Sequence, residues 1–324
     1  MYYVVINPAS RSGRGAKIWA ELEPALTEKK IQYTAYFSTK AGHVTEIVKN
    51  LCDTVLPSSE DALLKLIILG GDGTMNEALQ GITDFKRVHL GYIPTGSSND
   101  MARDLQVSKN AINTLERILS CKEPVPTDIG CVTFDNISET QDAYSEASLP
   151  KKRYFAVSCG IGFDAAVCEE ALTSRFKRIM NKIGLGKLTY LGIALKQIIA
   201  ARKISCEFTV DDDKTITLPR FLFIAGMVHQ YEGGGFKFCP GADSHDGILD
   251  ICSVGNVPKP VILCALPTAF WGGHYRFNGV ERYAASKLTI KASAPLWVHT
   301  DGEVFVKTDA ITMTCVKDRL LLLW

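Results

Sequence analysis

The first third of the chain alternates short apolar runs with stretches whose apolar positions recur at helical spacing. Tyr2 to Ile6, Tyr33 to Phe37, Leu63 to Leu69 and His89 to Ile93 read as strands; about Gly15 to Lys30, Ala41 to Cys52 and Thr74 to Gly81 read as helices. Such alternation predicts a parallel sheet with helices on both faces. Ligands of these sheets bind beyond the carboxyl ends of the strands, so chemistry is sought in the loops after Ile6, Leu69 and Ile93. Past Pro124-Val125-Pro126 the texture changes to short runs rich in β-branched and aromatic residues: Arg153 to Ser158, Cys206 to Val210, Phe221 to Val228 and Ile248 to Val254. These predict a second, mostly antiparallel β domain. The polar stretch from Thr133 to Lys152 predicts a surface excursion.

A length of 324 residues favours two domains over one, and 46% apolar with 22% charged residues is a globular composition. The formal net charge of +1 gives no support to whole-protein attraction to nucleic acid. Ten cysteines contain no C-x-x-C pair, and Met1 runs straight into a strand-like segment, which predicts reduced thiols in a cytoplasmic protein without a secretory leader. The longest apolar stretch, Leu188 to Ala201, is interrupted by Lys196 and Gln197, so no membrane-spanning helix is expected. Peripheral contact with a membrane surface stays open.

The sharpest local feature is Gly70-Gly71-Asp72-Gly73-Thr74, set between the apolar run Leu66 to Leu69 and a helix starting near Met75. Glycines let the backbone turn tightly and bring its amides against an anion at a helix N-terminus. Asp72 would repel a bare phosphate, which points to a metal–nucleotide complex. A glycine turn capped by Thr74 explains the same residues without a ligand. Two more polar loops strengthen the functional reading: Asn7-Pro8 with Ser10, Ser12, Gly13 and Gly15, and Pro94 to Asp100 with Thr95, Gly96, Ser97 and Asn99.

In this order the loops resemble the catalytic domain of diacylglycerol kinases, shared with sphingosine and ceramide kinases and bacterial lipid kinases. The resemblance extends through Asn76-Glu77, Thr127-Asp128-Ile129-Gly130, Gly160 to Ala165, Gly233-Gly234-Gly235, Asp246 to Asp250 and Asp301-Gly302-Glu303, nearly the whole chain. It implies an α/β nucleotide-binding domain over 1–130, of the fold shared by NAD kinases and diacylglycerol kinases, with the last strand near 315–324 returning to it. A β-rich sandwich domain for the lipid substrate would occupy 131–314, with ATP in the cleft between the two. The resemblance further implies an ATP site on Asn7, Thr39, Gly70 to Glu77 and Thr95, and a structural Mg²⁺ held by Asp246 with Asp243 and Ile248. His245 stands where many relatives carry Asp or Asn. Glu303 would be the general base taking the proton of a lipid alcohol, worth about 10² to 10⁴ in rate. Asp72 and Asp100 would help neutralise the transferring phosphate through Mg²⁺. Diacylglycerol, converted to phosphatidic acid in phospholipid metabolism, leads the acceptors, and a homodimer is compatible with the residues.

Other signals are weaker. Gly160-Ile161-Gly162-Phe163-Asp164-Ala165 fits a dinucleotide fingerprint, but no acidic residue lies between Ala171 and Cys206 to hold a ribose, so a packing role for these glycines is preferred. That stretch carries Arg175, Lys177, Arg178, Lys182, Lys187, Lys196, Arg202 and Lys203, and reads equally as a lipid-facing segment or a solvated helix face. Asp301-Gly302 is also an ordinary hairpin turn. His274 and His299 read as core or surface residues, and no zinc-ligand spacing, P-loop or G-x-S-x-G elbow occurs. An NAD kinase-like enzyme and a catalytically silent nucleotide or lipid sensor are the alternatives.

Overall fold

The computed structural model describes residues 1–59, 61–140, 151–173, 193, 196–198, 200 and 204–324. They form two compact units, one of Met1–Ile129, Ser244–Asp246 and Val316–Trp324, the other of Gly130–Asp243 and Gly247–Cys315.

The first unit opens with β1 (Tyr2–Ile6), α1 (Ser10–Glu28), β2 (Tyr33–Phe37), α2 (His43–Val55), β3 (Leu64–Gly70), α3 (Asp72–Gly81), β4 (Val88–Pro94), α4 (Asp100–Asp104) and α5 (Ala111–Ser120). Its β1 to β4 pair in parallel: β1 lies between β2 and β3, β4 adds beyond β3, and the chain end adds, also parallel, through Leu321 and Leu322 against His89 and Leu90. β3 is apolar and buried almost throughout, as a strand covered on both faces must be. Val4, Ile6, Ile67, Leu69 and Ile93 pack with Trp19, Leu22 and Leu26 of α1 and Leu115 and Ile118 of α5. Strand order reverses between β1 and β3, and at such a point the loops leaving neighbouring strands diverge and open a crevice at their carboxyl ends.

The second unit is antiparallel. It contains β5 (Val125–Thr140, from Gly130 onward), β6 (Lys152–Phe155), β7 (Ser158–Gly162), α6 (Phe163–Thr173), β8 (Ile204–Val210), β9 (Lys214–Phe221), β10 (Phe223–Met227), β11 (Leu249–Val254), α7 (Lys259–Thr268), β12 (Val280–Ala285), β13 (Lys287–Thr300) and β14 (Glu303–Leu322, up to Cys315). The order β12-β11-β10-β7-β13-β14 forms its main path, β8 and β9 extend from β13, and β5 pairs β6. Its core gathers Phe155, Phe208, Phe221, Ile161, Ile224, Leu249, Ile251, Leu288, Ile290 and Ile311.

Two sequence expectations change. Half of the supposed surface excursion is strand: Val132 and Phe134 turn into the core while Thr133 and Asp135 face out, so polar residues here are the outer half of an alternating strand. Residues 141–150 lie outside the described part. The run Arg153 to Ser158 breaks into two strands because the amides of Ala156, Val157 and Ser158 turn to the Asp301 carboxylate. Of the basic stretch, Arg175, Lys177, Arg178, Lys182, Lys187, Arg202 and Lys203 lie outside the described residues, while Lys196 is engaged with Glu170 at 2.5 Å. All ten cysteines are free thiols, and burial pushes those of Cys206 and Cys252 up to about 12, as inert packing residues. No helix among the described residues is long and apolar enough to cross a membrane.

Candidate active site

In the first unit the three glycine-containing loops are tied to one another. The Thr95 amide donates to the Gly70 carbonyl at 2.7 Å, and the Asn7 amide donates to the Leu69 carbonyl at 2.9 Å. Side chains repeat the connection: Asn7 Nδ2 donates to Thr74 Oγ1 at 3.0 Å, and the hydroxyls of Ser10 and Thr95 share a hydrogen bond at 2.6 Å. The loops also touch at bare backbone. A Cβ on Gly96 would stand 2.6 Å from the Gly71 Cα, and one on Gly70 would collide with the Thr74 side chain at 2.3 Å. Arg11, Ser12 and Gly13 all take left-handed backbone angles at the start of α1. For the two non-glycine residues this costs roughly 1–2 kcal/mol each, strain that tends to persist at functional loops.

Asp72 lies between two of these loops. Its Oδ2 accepts the Asn99 amide at 2.7 Å and its Oδ1 the Asp100 amide at 3.0 Å. It thus neutralises the start of α4 and holds the Pro94–Asp100 loop, a holding role the sequence did not reveal. Asn99 closes the same loop by accepting the Gly96 amide at 2.9 Å and donating to the Gly96 carbonyl at 3.0 Å. Asp100 is buried with Arg103 3.8 Å away, Ser97 is exposed, and Thr74, Asn76 and Thr95 are buried. The Glu77 carboxylate accepts the amides of Gly42 and Val44 at 2.9 and 3.1 Å, capping α2 from a neighbouring helix where Gly42 has no side chain to do so. Thr39 is exposed and bonds through its amide to His43 Nδ1 at 3.1 Å.

In the second unit the sequence-predicted base sits on a two-residue turn. Asp301 and Gly302 take φ of 52° and 82°, the double left-handed geometry of a tight hairpin, and Thr300 pairs with Glu303 across it. Three successive amides, Ala156, Val157 and Ser158, donate to the Asp301 carboxylate at 2.9, 2.8 and 3.1 Å, and the Asp301 amide returns to the Ser158 carbonyl at 2.9 Å. Glu303 is half-buried at the foot of this clamped turn.

Behind the turn lies a trio that sequence spacing did not bring together. His299 is wholly buried, and its Nε2 stands 3.1 Å from Asp164 and 3.2 Å from Glu232. The Gly302 amide donates to its Nδ1 at 3.2 Å. Burial disfavours the imidazolium, but the two carboxylates outweigh it and raise the His299 pKa well above its ordinary value. Protonation of Nδ1 opposes the Gly302 bond, so the histidine's charge is linked to the turn that carries Glu303. Donor atoms of the trio lie within 4.8 Å of one another. The neutral tautomer with hydrogen on Nε2 and an accepting Nδ1 satisfies all of these contacts, Nε2 donating to the carboxylates while Nδ1 takes the Gly302 amide. Gly160 makes room for the trio: a Cβ there would stand 1.9 Å from Asp164 Oδ2 and 2.6 Å from His299 Nε2, which gives the fingerprint glycines the packing role preferred from sequence.

Asp243, His245, Asp246 and Ile248 are exposed, with Asp246 in the first unit and Asp243 and Ile248 in the second. The Asp128 amide donates to the Ser244 carbonyl at 2.8 Å, and the Asp128 carboxylate accepts the Asp318 amide at 2.7 Å, so this motif aspartate stitches two distant segments to the first unit.

Comparison with known proteins adds family to geometry. Residues 1–132 match the family model of the diacylglycerol kinase catalytic domain, and residues 157–323 match that of the YegS C-terminal NAD kinase beta sandwich-like domain. The chain belongs to the diacylglycerol kinase family of lipid kinases. A Bacillus subtilis member, YtlR, provisionally named a lipid kinase, is 27% identical over 95% of this chain and 94% of its own. A protein named diacylglycerol kinase from Staphylococcus carnosus is 29% identical over 93% of this chain and 87% of its own. The crystal structure of a diacylglycerol kinase from Bacillus anthracis is similar in fold, with a TM-score of 0.71 at 19% identity, covering all of this chain and 96% of that one. The family's architecture, an α/β domain followed by a β sandwich, is the one described above.

Proposed function

We propose that this family member transfers the γ-phosphate of Mg-ATP to the hydroxyl of a membrane lipid, with diacylglycerol as leading acceptor and phosphatidic acid as product. The Asp301 clamp carries this reading: a carboxylate serving three amides makes the Asp-Gly-Glu turn a rigid mount, which a positioned base needs. Glu303 accepts the proton of the lipid hydroxyl as its oxygen bonds to the γ-phosphorus. The bond from that phosphorus to the bridging oxygen breaks, and ADP leaves with the electron pair. The loops around Asn7, Gly70–Glu77 and Thr95–Asn99 hold the nucleotide, and their mutual bonding supports a preformed phosphate site.

Asp243 and Asp246 with the Ile248 carbonyl are the hard-oxygen set that suits Mg²⁺, and they would hold the family's structural ion. Asp72 and Asp100 would meet the nucleotide's own Mg²⁺ through water, while the amides on Asp72 support a positioning task in addition. A bilayer acceptor implies cytoplasmic protein in peripheral contact with the membrane. Label from γ-labelled ATP appearing in diacylglycerol with wild type, and about 100-fold less with Glu303→Gln, tests the reading. Label in NADP instead would favour an NAD kinase-like enzyme.

A further inference from the structure

Helix α7 is apolar on its outward face as well as its inward one. Pro260, Leu263, Cys264 and Pro267 recur at i, i+3, i+4 and i+7 on its exposed face, and the following turn adds Phe270 and Trp271. Leu263 is 40% exposed, Phe270 52% and Trp271 65%, whereas Ile262 and Ala265 face inward. An outward helical stripe is normally polar. A contiguous apolar one marks a surface that another phase or partner covers.

We infer that this lip, Leu263, Phe270 and Trp271, is where the protein seats on an anionic lipid bilayer; the inference rests on the lipid-kinase reading. Charge selects that occupant. From Ile251 to Val280 the chain has no aspartate or glutamate, while it carries Lys259 and Arg276, and Lys237 is tied to the lip by its amide on the Ala269 carbonyl at 2.7 Å. Apolar side chains with an exposed tryptophan and neighbouring cations are what enter the headgroup boundary of an acidic membrane. The lip is also continuous with the candidate active site. Phe270 stacks on Phe236 at 4.1 Å, Phe236 and Glu232 exchange both backbone hydrogen bonds across Gly233-Gly234-Gly235, and Glu232 contacts His299 behind the Glu303 turn. Seating the lip therefore brings the bilayer to the element that braces the acceptor side of the site.

The test is co-sedimentation with phosphatidylcholine vesicles, with and without phosphatidylglycerol, for wild type and Phe270→Ser/Trp271→Ser. Wild type binds the anionic vesicles, and the double variant binds about ten-fold or more weaker. Brominated acyl chains quench wild-type tryptophan emission, and Trp271→Phe, a mild change, loses that quenching while still sedimenting. Equal binding by the double variant, no vesicle binding by wild type, or a wild-type dimer that the double variant turns into monomers without any vesicle binding would each overturn the inference. Binding is read without turnover, so lost phosphate transfer with intact vesicle binding would count against the kinase reading alone.

Discussion

Removing the Asp301 carboxylate tests whether the turn beneath Glu303 is held as the structure has it. Asp301→Ala strips the acceptor from three amides, those of Ala156, Val157 and Ser158, in residues that are almost fully buried. A hydrogen bond to a charged group contributes about 1.5–3 kcal/mol, and one carboxylate serving three donors is not worth three independent bonds. The loss is therefore about 3–5 kcal/mol. Alanine also fits poorly at a φ of 52°. Asp301→Asn tolerates that angle and keeps one oxygen for Val157 and Ser158 but turns an NH₂ toward Ala156, for a loss of about 1–2 kcal/mol. Amide hydrogen exchange read by mass spectrometry over 154–160 reports this directly, since about 1.4 kcal/mol is a factor of ten in an opening equilibrium. Protection should fall about 100-fold or more in Asp301→Ala and about ten-fold in Asp301→Asn. Unchanged protection in the alanine variant would refute the clamp, and with it the argument that Glu303 stands on a rigid mount.

Two further outcomes follow from the trio behind that turn. Gly160→Ala places a methyl 1.9 Å from Asp164 Oδ2, so the variant should lose at least about 3 kcal/mol of stability in urea unfolding; a change under 1 kcal/mol would mean the pair is not packed there. His299 has a folded pKa raised above its unfolded value of about 6.5, so its stabilising contribution is complete below that pH and fades as pH rises through the folded pKa. The stability gap between wild type and His299→Gln should therefore be widest near pH 6 and shrink toward pH 9, and a gap that widens with pH would contradict the carboxylate pairing.

The parallel sheet was legible because buried strands need continuous apolar runs, as in Leu66 to Leu69, and the loops were legible because glycines follow those runs directly. The clamped turn was legible in part: Asp-Gly announces a hairpin, but its three amide donors lie more than 140 positions earlier in the chain. Distance hid the rest. Asp164 and His299 are 135 residues apart and meet only through strand pairing of β7 with β13, and no spacing rule reaches across that gap. Asp72 read as a metal partner because a carboxylate among phosphate-binding amides is odd, whereas its bonds to Asn99 and Asp100 depend on a loop 27 residues on. The outward apolar stripe of α7 escaped because a helix that is apolar all round looks the same in sequence whether its outer face meets protein or lipid.

The central claim is phosphoryl transfer to a lipid hydroxyl with Glu303 as base. Its most direct test is transfer of labelled γ-phosphate from Mg-ATP to diacylglycerol in mixed micelles by wild type and Glu303→Gln, with folding of the variant checked by its unchanged unfolding midpoint. Labelled phosphatidic acid from wild type, lowered about 100-fold or more by the substitution, is the predicted result. Undiminished transfer by Glu303→Gln would remove the base assignment, and no transfer by wild type to diacylglycerol or any other lipid alcohol would contradict the claim itself.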